Sequence, residues 1–225
     1  ISTSNKASAG RNAIFGSAIP YAEPMYCQTF ATPFYKDSHK RLRAAVRQFC
    51  EKEIFPFQQE WDENKFVPRE LLKKAGDAGI LAGVAGAWPW PVKYAGTKIA
   101  GDVKPEEFDA FHELVILDEV SRCYAGPAAA LCEGINIGIA PVMYFGSEAL
   151  KNKVVGPCLR GEKVIVLAIT EPSAGSDVAN IKTTARKTPD GKHYIVNGEK
   201  KWITNGTYAD YFTVAVRTDE NEHSG

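Results

Sequence analysis

Hydrophobic positions recur at three to four residues from about Asp37, where Leu42, Val46 and Phe49 share one face and Lys40, Arg43 and Arg47 occupy others, which predicts an amphipathic helix. Pro56 interrupts the run, because proline removes an amide donor and clashes with the preceding turn. A second helix is expected near Pro68, a residue suited to a first helical position, with Leu71, Leu72 and Ala75 on its buried side and Gly79 as terminator. Between 83 and 104 glycine, proline and aromatics dominate, which reads as a packed loop in which Trp88 and Trp90 need burial. Phe108, Phe111, Leu114 and Leu117 then mark an amphipathic helix from about Pro105 to Arg122. After Gly126-Pro127 the stretch AAALCEGINIGIAPVMYF carries no charge but Glu133, the pattern of a central helix touched on all sides. Gly134 and Gly138 within it leave room for a neighbouring helix or a ligand, and Ser147 is placed to cap a short helix from Glu148 to Val155.

The period changes after Pro157. The run KVIVLAI (163–169) is short, β-branched and apolar, as a buried strand is. Turn signals follow at Pro189-Asp190-Gly191, Asn197-Gly198 and Asn205-Gly206, leaving strands at about 181–187, 193–196, 200–204 and 210–217. The end of the chain, from Thr218, is polar and loop-like. The expected class is α+β and multidomain: an irregular extension (1–36), an all-α helical bundle (37–160), then the first part of an antiparallel β-barrel-like domain (161–225). No internal repeat is present.

Composition narrows the function by exclusion. Twenty-seven Lys plus Arg balance 27 Asp plus Glu, so no net charge steers the chain toward nucleic acid or acidic lipid. The five cysteines are scattered without a C-x-x-C pair, which argues against a disulfide framework or zinc ribbon and fits a reducing, intracellular compartment. The four histidines lie far apart in sequence and lack metal-ligand spacing, so no metal site is expected. No window approaches the roughly 18 continuous apolar residues of a membrane span. The first residues, ISTSNKASAGRNAIFGSA, are Ser/Ala-rich with Lys6 and Arg11 and no acid before Glu23. They read either as a piece of an organelle transit peptide or as a flexible extension.

Two segments carry candidate chemistry. In AITEPSAGSD (168–177) a strand runs into small and hydroxylated residues, which let backbone amides approach a ligand closely, with Thr170 and Ser176 adding hydroxyls. In WITNG (202–206) an indole stands beside a hydroxyl, a pairing suited to a flat heteroaromatic ligand that needs a stacking wall and a polar anchor. Either alone is ordinary turn chemistry with a core tryptophan. Together in one β domain they are far more specific.

ITEPSAGSD followed by YIVNGEKKWITNG resembles the signature of the acyl-CoA dehydrogenase family, and the resemblance covers most of the chain from about Asp37. It implies a helical amino-terminal domain, a middle β domain and a carboxy-terminal helical domain, with FAD bound between the last two. It also implies oxidation of acyl-CoA thioesters between the α and β carbons, with electrons passed to an electron-transfer flavoprotein. Members form homo-oligomers (dimers or tetramers) and serve fatty acid β-oxidation, in the mitochondrial matrix or peroxisome of eukaryotes and the cytoplasm of bacteria. By resemblance the cofactor-binding residues are Leu167, Ala168, Ile169, Thr170, Gly175, Ser176, Trp202, Ile203 and Thr204. Among these Thr170 would bond the polar ring edge, Trp202 would lie against the flavin face, and Thr204 would reach the ring nitrogen that accepts hydride. Ser176 also aligns with a position touching the thioester arm, and Ala128 to Met143 are candidates for the acyl pocket.

Two departures accompany the resemblance. Ser173 stands where the motif commonly has glycine, which matters only if the backbone there needs positive φ. The family's catalytic glutamate belongs to the carboxy-terminal domain, which is missing here, so no catalytic residue is assigned within the chain, Glu171 included. The chain is therefore expected to be part of a longer polypeptide, inactive alone. Alternatives of the same fold are a flavin oxidase, such as a nitroalkane oxidase, or a flavin monooxygenase; a non-enzymatic binding module is a further one. A serine hydrolase lacks its G-x-S-x-G elbow here, and a nicotinamide enzyme lacks its G-x-G-x-x-G.

Overall fold

The computed structural model describes residues 15–28, 30–86 and 88–219. The start of the expected extension and the last six residues of the polar end lie outside that range. Seven α-helices are present among the described residues: α1 Asp37–Glu53, α2 Gln58–Glu63, α3 Glu70–Asp77, α4 Val92–Ala95, α5 Ala110–Val120, α6 Ala125–Phe145 and α7 Glu148–Leu159. Four strands follow: β1 Ile165–Ala168, β2 Thr184–Lys187, β3 Tyr194–Asn197 and β4 Tyr211–Val214. Apart from a 3-10 turn at Met25–Cys27, the described part of the segment before α1 has no regular helix or strand.

α1 buries Leu42, Val46 and Cys50 as the period requires, but it also buries Arg43 and Arg47, which belong on other faces by pattern alone. Burying two guanidinium groups is tolerable only because they are fully paired. Arg43 bonds Glu119 and, at 2.5 Å, Asp118; Arg47 bonds Glu119 at 2.7 and 2.9 Å and holds both oxygens of Glu23 at 2.7 Å. The network ties α1 to α5 and to the chain before it.

α5 departs from expectation for the same reason. Pro105–Glu107 form a separate 3-10 turn, and the helix starts after Asp109, whose carboxylate caps the amides of Phe111 and His112. Its buried residues are His112, Glu113, Val115, Ile116, Glu119 and Val120, whereas Leu114 is 50% exposed. Polar residues turned inward rotate the true stripe away from the apolar one. Of the two loop tryptophans, Trp90 is buried and donates its indole N–H to the Gly96 carbonyl at 2.8 Å, while Trp88 is half exposed.

α3 ends as predicted, with Gly79 at φ 72°. Ser147 caps α7 by accepting from the Leu150 amide at 3.2 Å, and that helix runs on through Pro157. α6 is long and apolar enough by length and composition to cross a bilayer, contrary to the reading of its sequence. In this fold it is the platform for β1: a Cβ at Gly138 would sit 2.8 Å from the Val166 carbonyl carbon. It is not surrounded, because Ile137, Tyr144 and Phe145 are exposed.

The strands correct the antiparallel barrel. β1 and β4 pair in parallel, Ile165 opposite Tyr211 and Ala168 opposite Val214. β2 and β3 form an antiparallel hairpin closed at Gly191 (φ 71°). Among the described residues there is no closed barrel. A parallel pair needs a long connection, and the whole segment from the 169–177 loop through β3 supplies it. The expected strand at 200–204 is absent, because Trp202 and Asn205 take φ of 60° and 62°, incompatible with extension. The core runs unbroken from α1, α3 and α5 through α6 to Val164, Ile165 and Val166.

Candidate functional site

The 169–177 loop leaves β1 and is pinned by its own acid. Glu171 and Ala174 exchange backbone hydrogen bonds of 2.8 and 3.2 Å, which throws Pro172 and Ser173 to the tip. Ser173 is not among the described residues with positive φ, so the serine in place of glycine meets no backbone conflict. The buried Glu171 carboxylate accepts from the Lys182 amide (2.6 Å), the Thr183 amide (2.9 Å), the Thr183 hydroxyl (2.5 Å) and Lys200 Nζ (2.8 Å). Burial pushes its pKa up, but Lys200, Thr183 and the two amides outweigh that and hold it at about 2. So weak a base cannot abstract a proton near neutrality. Glu171 is a staple.

The staple draws the second loop to the first. Lys200 also donates to the Ile169 carbonyl at 2.8 Å, and the Lys201 amide donates to the Thr170 carbonyl at 2.8 Å. Next in the chain is Trp202, whose left-handed φ is a strained conformation for a bulky residue and whose side chain is 79% exposed. Lys201 Nζ stands 4.5 Å from the centre of its ring.

Between the loops lies a cavity of about 270 Å³ lined by Leu167, Ile169, Thr170, Gly175, Val178, Trp202, Ile203 and Thr204, with Gly134 and Ile137 from α6. Seven of the nine cofactor residues expected from the sequence are in that lining. Ala168 is buried, as strand alternation between Leu167 and Ile169 requires, and its side chain faces away. Ser176 is exposed and lies outside the lining. Val178 was not singled out, while Gly134 and Ile137 fall inside the stretch proposed for the acyl pocket. A Cβ at Gly175 would meet nothing within 4 Å, so that edge is open. An exposed indole, two threonine side chains and a bare glycine edge are the donor set and shape that suit a flat heteroaromatic ring.

A larger cavity, about 460 Å³, lies behind the second loop, where Ile203, Asn205 and Tyr208 face Trp61, Phe66 and Pro127. A third, about 430 Å³, runs between α5 and α6 along Leu117, Val120, Ala128 and Cys132.

The histidines correct the sequence reading in one respect. His39 and His112 are distant in sequence but stack at 3.7 Å, and both reach Asp109 Oδ1, at 3.0 and 2.8 Å. These three are the one group of His, Cys, Asp and Glu among the described residues close enough to hold a metal ion. Their bonding points elsewhere. The Lys36 amide donates to His39 Nδ1 at 2.9 Å, which leaves Nε2 protonated and donating to Asp109 rather than offering a lone pair to a cation. The cluster joins the starts of α1 and α5.

Helices followed by a β segment, with two loops walling a cavity, define a ligand-binding scaffold, and comparison with known proteins makes this specific. Residues 36–162 match the acyl-CoA dehydrogenase amino-terminal domain and residues 166–225 match the middle domain. The chain belongs to the acyl-CoA dehydrogenase family. It is 40% identical over 212 residues to an acyl-CoA dehydrogenase of Alternaria alternata (94% of this chain, 49% of that protein). It is 42% identical over 206 residues to one of Emericella nidulans (90% and 47%). Among solved structures, an acyl-CoA dehydrogenase of Bacillus anthracis complexed with FAD superposes with a TM-score of 0.71 at 33% identity, covering 84% of this chain and 31% of that one. The chain spans about half the length of the curated relatives it matches.

Proposed function

We propose that this chain contributes one wall of an FAD site in an enzyme that oxidises an acyl-CoA thioester between its α and β carbons. The observation that carries the reading is the convergence of Thr170, Gly175, Trp202 and Thr204 on one cavity. FAD, when bound, would supply the hydride acceptor and a carboxylate outside this chain would take the α-proton; the residues of this chain supply orientation and exclusion of water. The Trp202 indole would pack against the ring, the Thr170 hydroxyl would bond its polar edge, and Thr204 would reach toward the ring nitrogen that accepts hydride. Leu167, Ile169 and Ile137 line the cavity with apolar surface and keep water from the reacting carbon. Ser176, exposed beyond the lining, receives the thioester arm, and the groove between α5 and α6 takes the acyl chain. Glu171 is excluded as the base, so that carboxylate is assigned to the half of the relatives this chain does not span. An electron-transfer flavoprotein as acceptor and a homo-oligomeric assembly complete the proposal.

The test is the absorbance spectrum of the purified full-length polypeptide to which this chain is proposed to belong, followed by anaerobic addition of straight- and branched-chain acyl-CoAs. A flavin band that bleaches with one of them supports the reading and ranks chain lengths. A colourless protein that FAD cannot reconstitute overturns it. Trp202→Ala or Thr204→Ala should weaken FAD binding or slow bleaching; an unchanged reductive reaction removes those residues from the site.

A further inference from the structure

The loop bearing Trp202 and Thr204 is a thin partition. On one side is the cavity assigned above to the flavin ring; on the other is the cavity of about 460 Å³ lined by Ile203, Asn205 and Tyr208. Ile203 and Tyr208 pack against the core, but with open space behind the loop its position also depends on its bonds. Its backbone ties are Lys201 to Thr170 at 2.8 Å, Gly206 to Ile203 at 2.9 Å and Tyr208 to Asn205 at 3.3 Å. Its connection to α6 is Asn205. That residue takes the left-handed conformation, which asparagine tolerates better than most residues. Its Nδ2 donates to the Ala129 carbonyl at 3.2 Å and lies 3.5 Å from the Ala130 carbonyl; its Oδ1 accepts from the Tyr208 hydroxyl at 2.6 Å. Both amide atoms are engaged, one fixing the turn internally and the other fixing it to the helix.

α6 is shaped to receive this amide. A Cβ at Gly134 would stand 2.9 Å from Asn205 Nδ2, so only glycine leaves the full space. Gly134 and Ile137, one turn on, line the flavin cavity opposite Trp202 and Thr204. One helix therefore supplies both the far side of the cavity and the anchor that sets the near side.

We propose that Asn205 is a positioning residue that sets the spacing between the Trp202–Thr204 wall and α6, and so the width of the flavin slot. The inference rests on the flavin reading above. The hydroxyl of Tyr208, outside the flavin cavity, acts through the same contact by orienting the Asn205 amide. Substitutions at Gly134 and Asn205 are then coupled, because the two residues occupy one space.

The test compares Asn205→Gly, Asn205→Asp and Tyr208→Phe with the unaltered protein, each in the full-length polypeptide. Glycine and aspartate both accept positive φ, so the turn survives, while neither can donate to Ala129. FAD affinity is measured by fluorescence titration, and the visible circular dichroism of bound flavin reports ring geometry independently of turnover. Asn205→Gly and Asn205→Asp should each raise the Kd for FAD about five- to tenfold, the worth of one partly buried hydrogen bond, and alter the dichroism. Tyr208→Phe should do the same more weakly. Gly134→Ala should raise the Kd less in the Asn205→Gly background than alone. Asn205 variants with an unchanged Kd and unchanged dichroism overturn the proposal, even if their melting temperature falls. If the unaltered protein takes up no FAD, the functional reading fails instead. Amide hydrogen exchange at 203–206 then decides the positioning role: faster exchange in Asn205→Asp upholds it and unchanged exchange overturns it.

Discussion

Removing the carboxylate of Glu171 should cost more stability than any other single change in the loops, and should do so only above acidic pH. The folded structure lowers the Glu171 pKa from 4.5 to about 2. At about 1.4 kcal/mol per pH unit, a shift of that size stabilises the fold by roughly 3 kcal/mol at neutral pH. The sign follows from a depressed acid pKa. The contribution is complete above the unfolded value of 4.5 and disappears as pH falls toward about 2. Glu171→Gln keeps the shape but leaves the Lys200 ammonium, only 12% exposed at its side chain, without its counter-charge. Urea denaturation of both forms, repeated from pH 7 to pH 3, separates this from a packing effect. The unaltered chain should be roughly 3 kcal/mol more stable at pH 7, and the gap should narrow steadily below pH 4.5. A constant gap across the range would refute the electrostatic account. No gap at pH 7 would refute the staple altogether.

Three further outcomes follow from the packing. Glu119→Gln should destabilise the chain by about 1 to 3 kcal/mol, because it removes the buried counter-charge that Arg43 and Arg47 share while leaving them Asp118 and Glu23; denaturant midpoints measure it. Gly138→Ala should cost about 1 to 3 kcal/mol, since the added methyl meets the Val166 backbone at 2.8 to 3.0 Å, and the loss should appear in thermal unfolding. Glu113→Met should be stabilising at pH 7. That carboxyl is buried with Oε2 unpartnered, and burial pushes its pKa up. The penalty grows as pH rises through that raised value, so the gain from Glu113→Met, about 1 kcal/mol or more, should vanish in acid.

Much of the helical part was legible because its signals are local. Gly79, Ser147 and the 3.6-residue stripe of α3 act within a turn or two, and the structure places them as the pattern does. The misread faces of α1 and α5 share one cause. Arg43, Arg47, His112 and Glu119 are polar by type but internal by pairing, and each partner lies on another element. No periodicity contains that information. The β segment failed differently. Two of its three expected turns, at 189–191 and 205–206, are present while β3 runs through Asn197 without one; moreover turns specify hairpins, and β1 pairs with the distant β4, a choice made by the shared packing on α6.

The candidate site was legible as two loops forming one wall, but what holds them together was not, and Glu171 shows why. Within AITEPSAGSD it is the residue type most readily taken for an acid or base. Its sequence neighbours, a threonine and a proline, do not say which. What decides is Thr183 and Lys200, eleven or more positions on, which turn the carboxylate into a charge-paired tie and in doing so bring Trp202 beside Thr170. Glu113, equally buried and of the same type, has no such donors and is displaced in the opposite direction. Two glutamates at similar depth therefore differ in sign because of their donors. In this chain the step from motif to chemistry runs through the partners of a residue, and the Glu171–Lys200 pairing delivers the left-handed turn at Trp202 to the first loop.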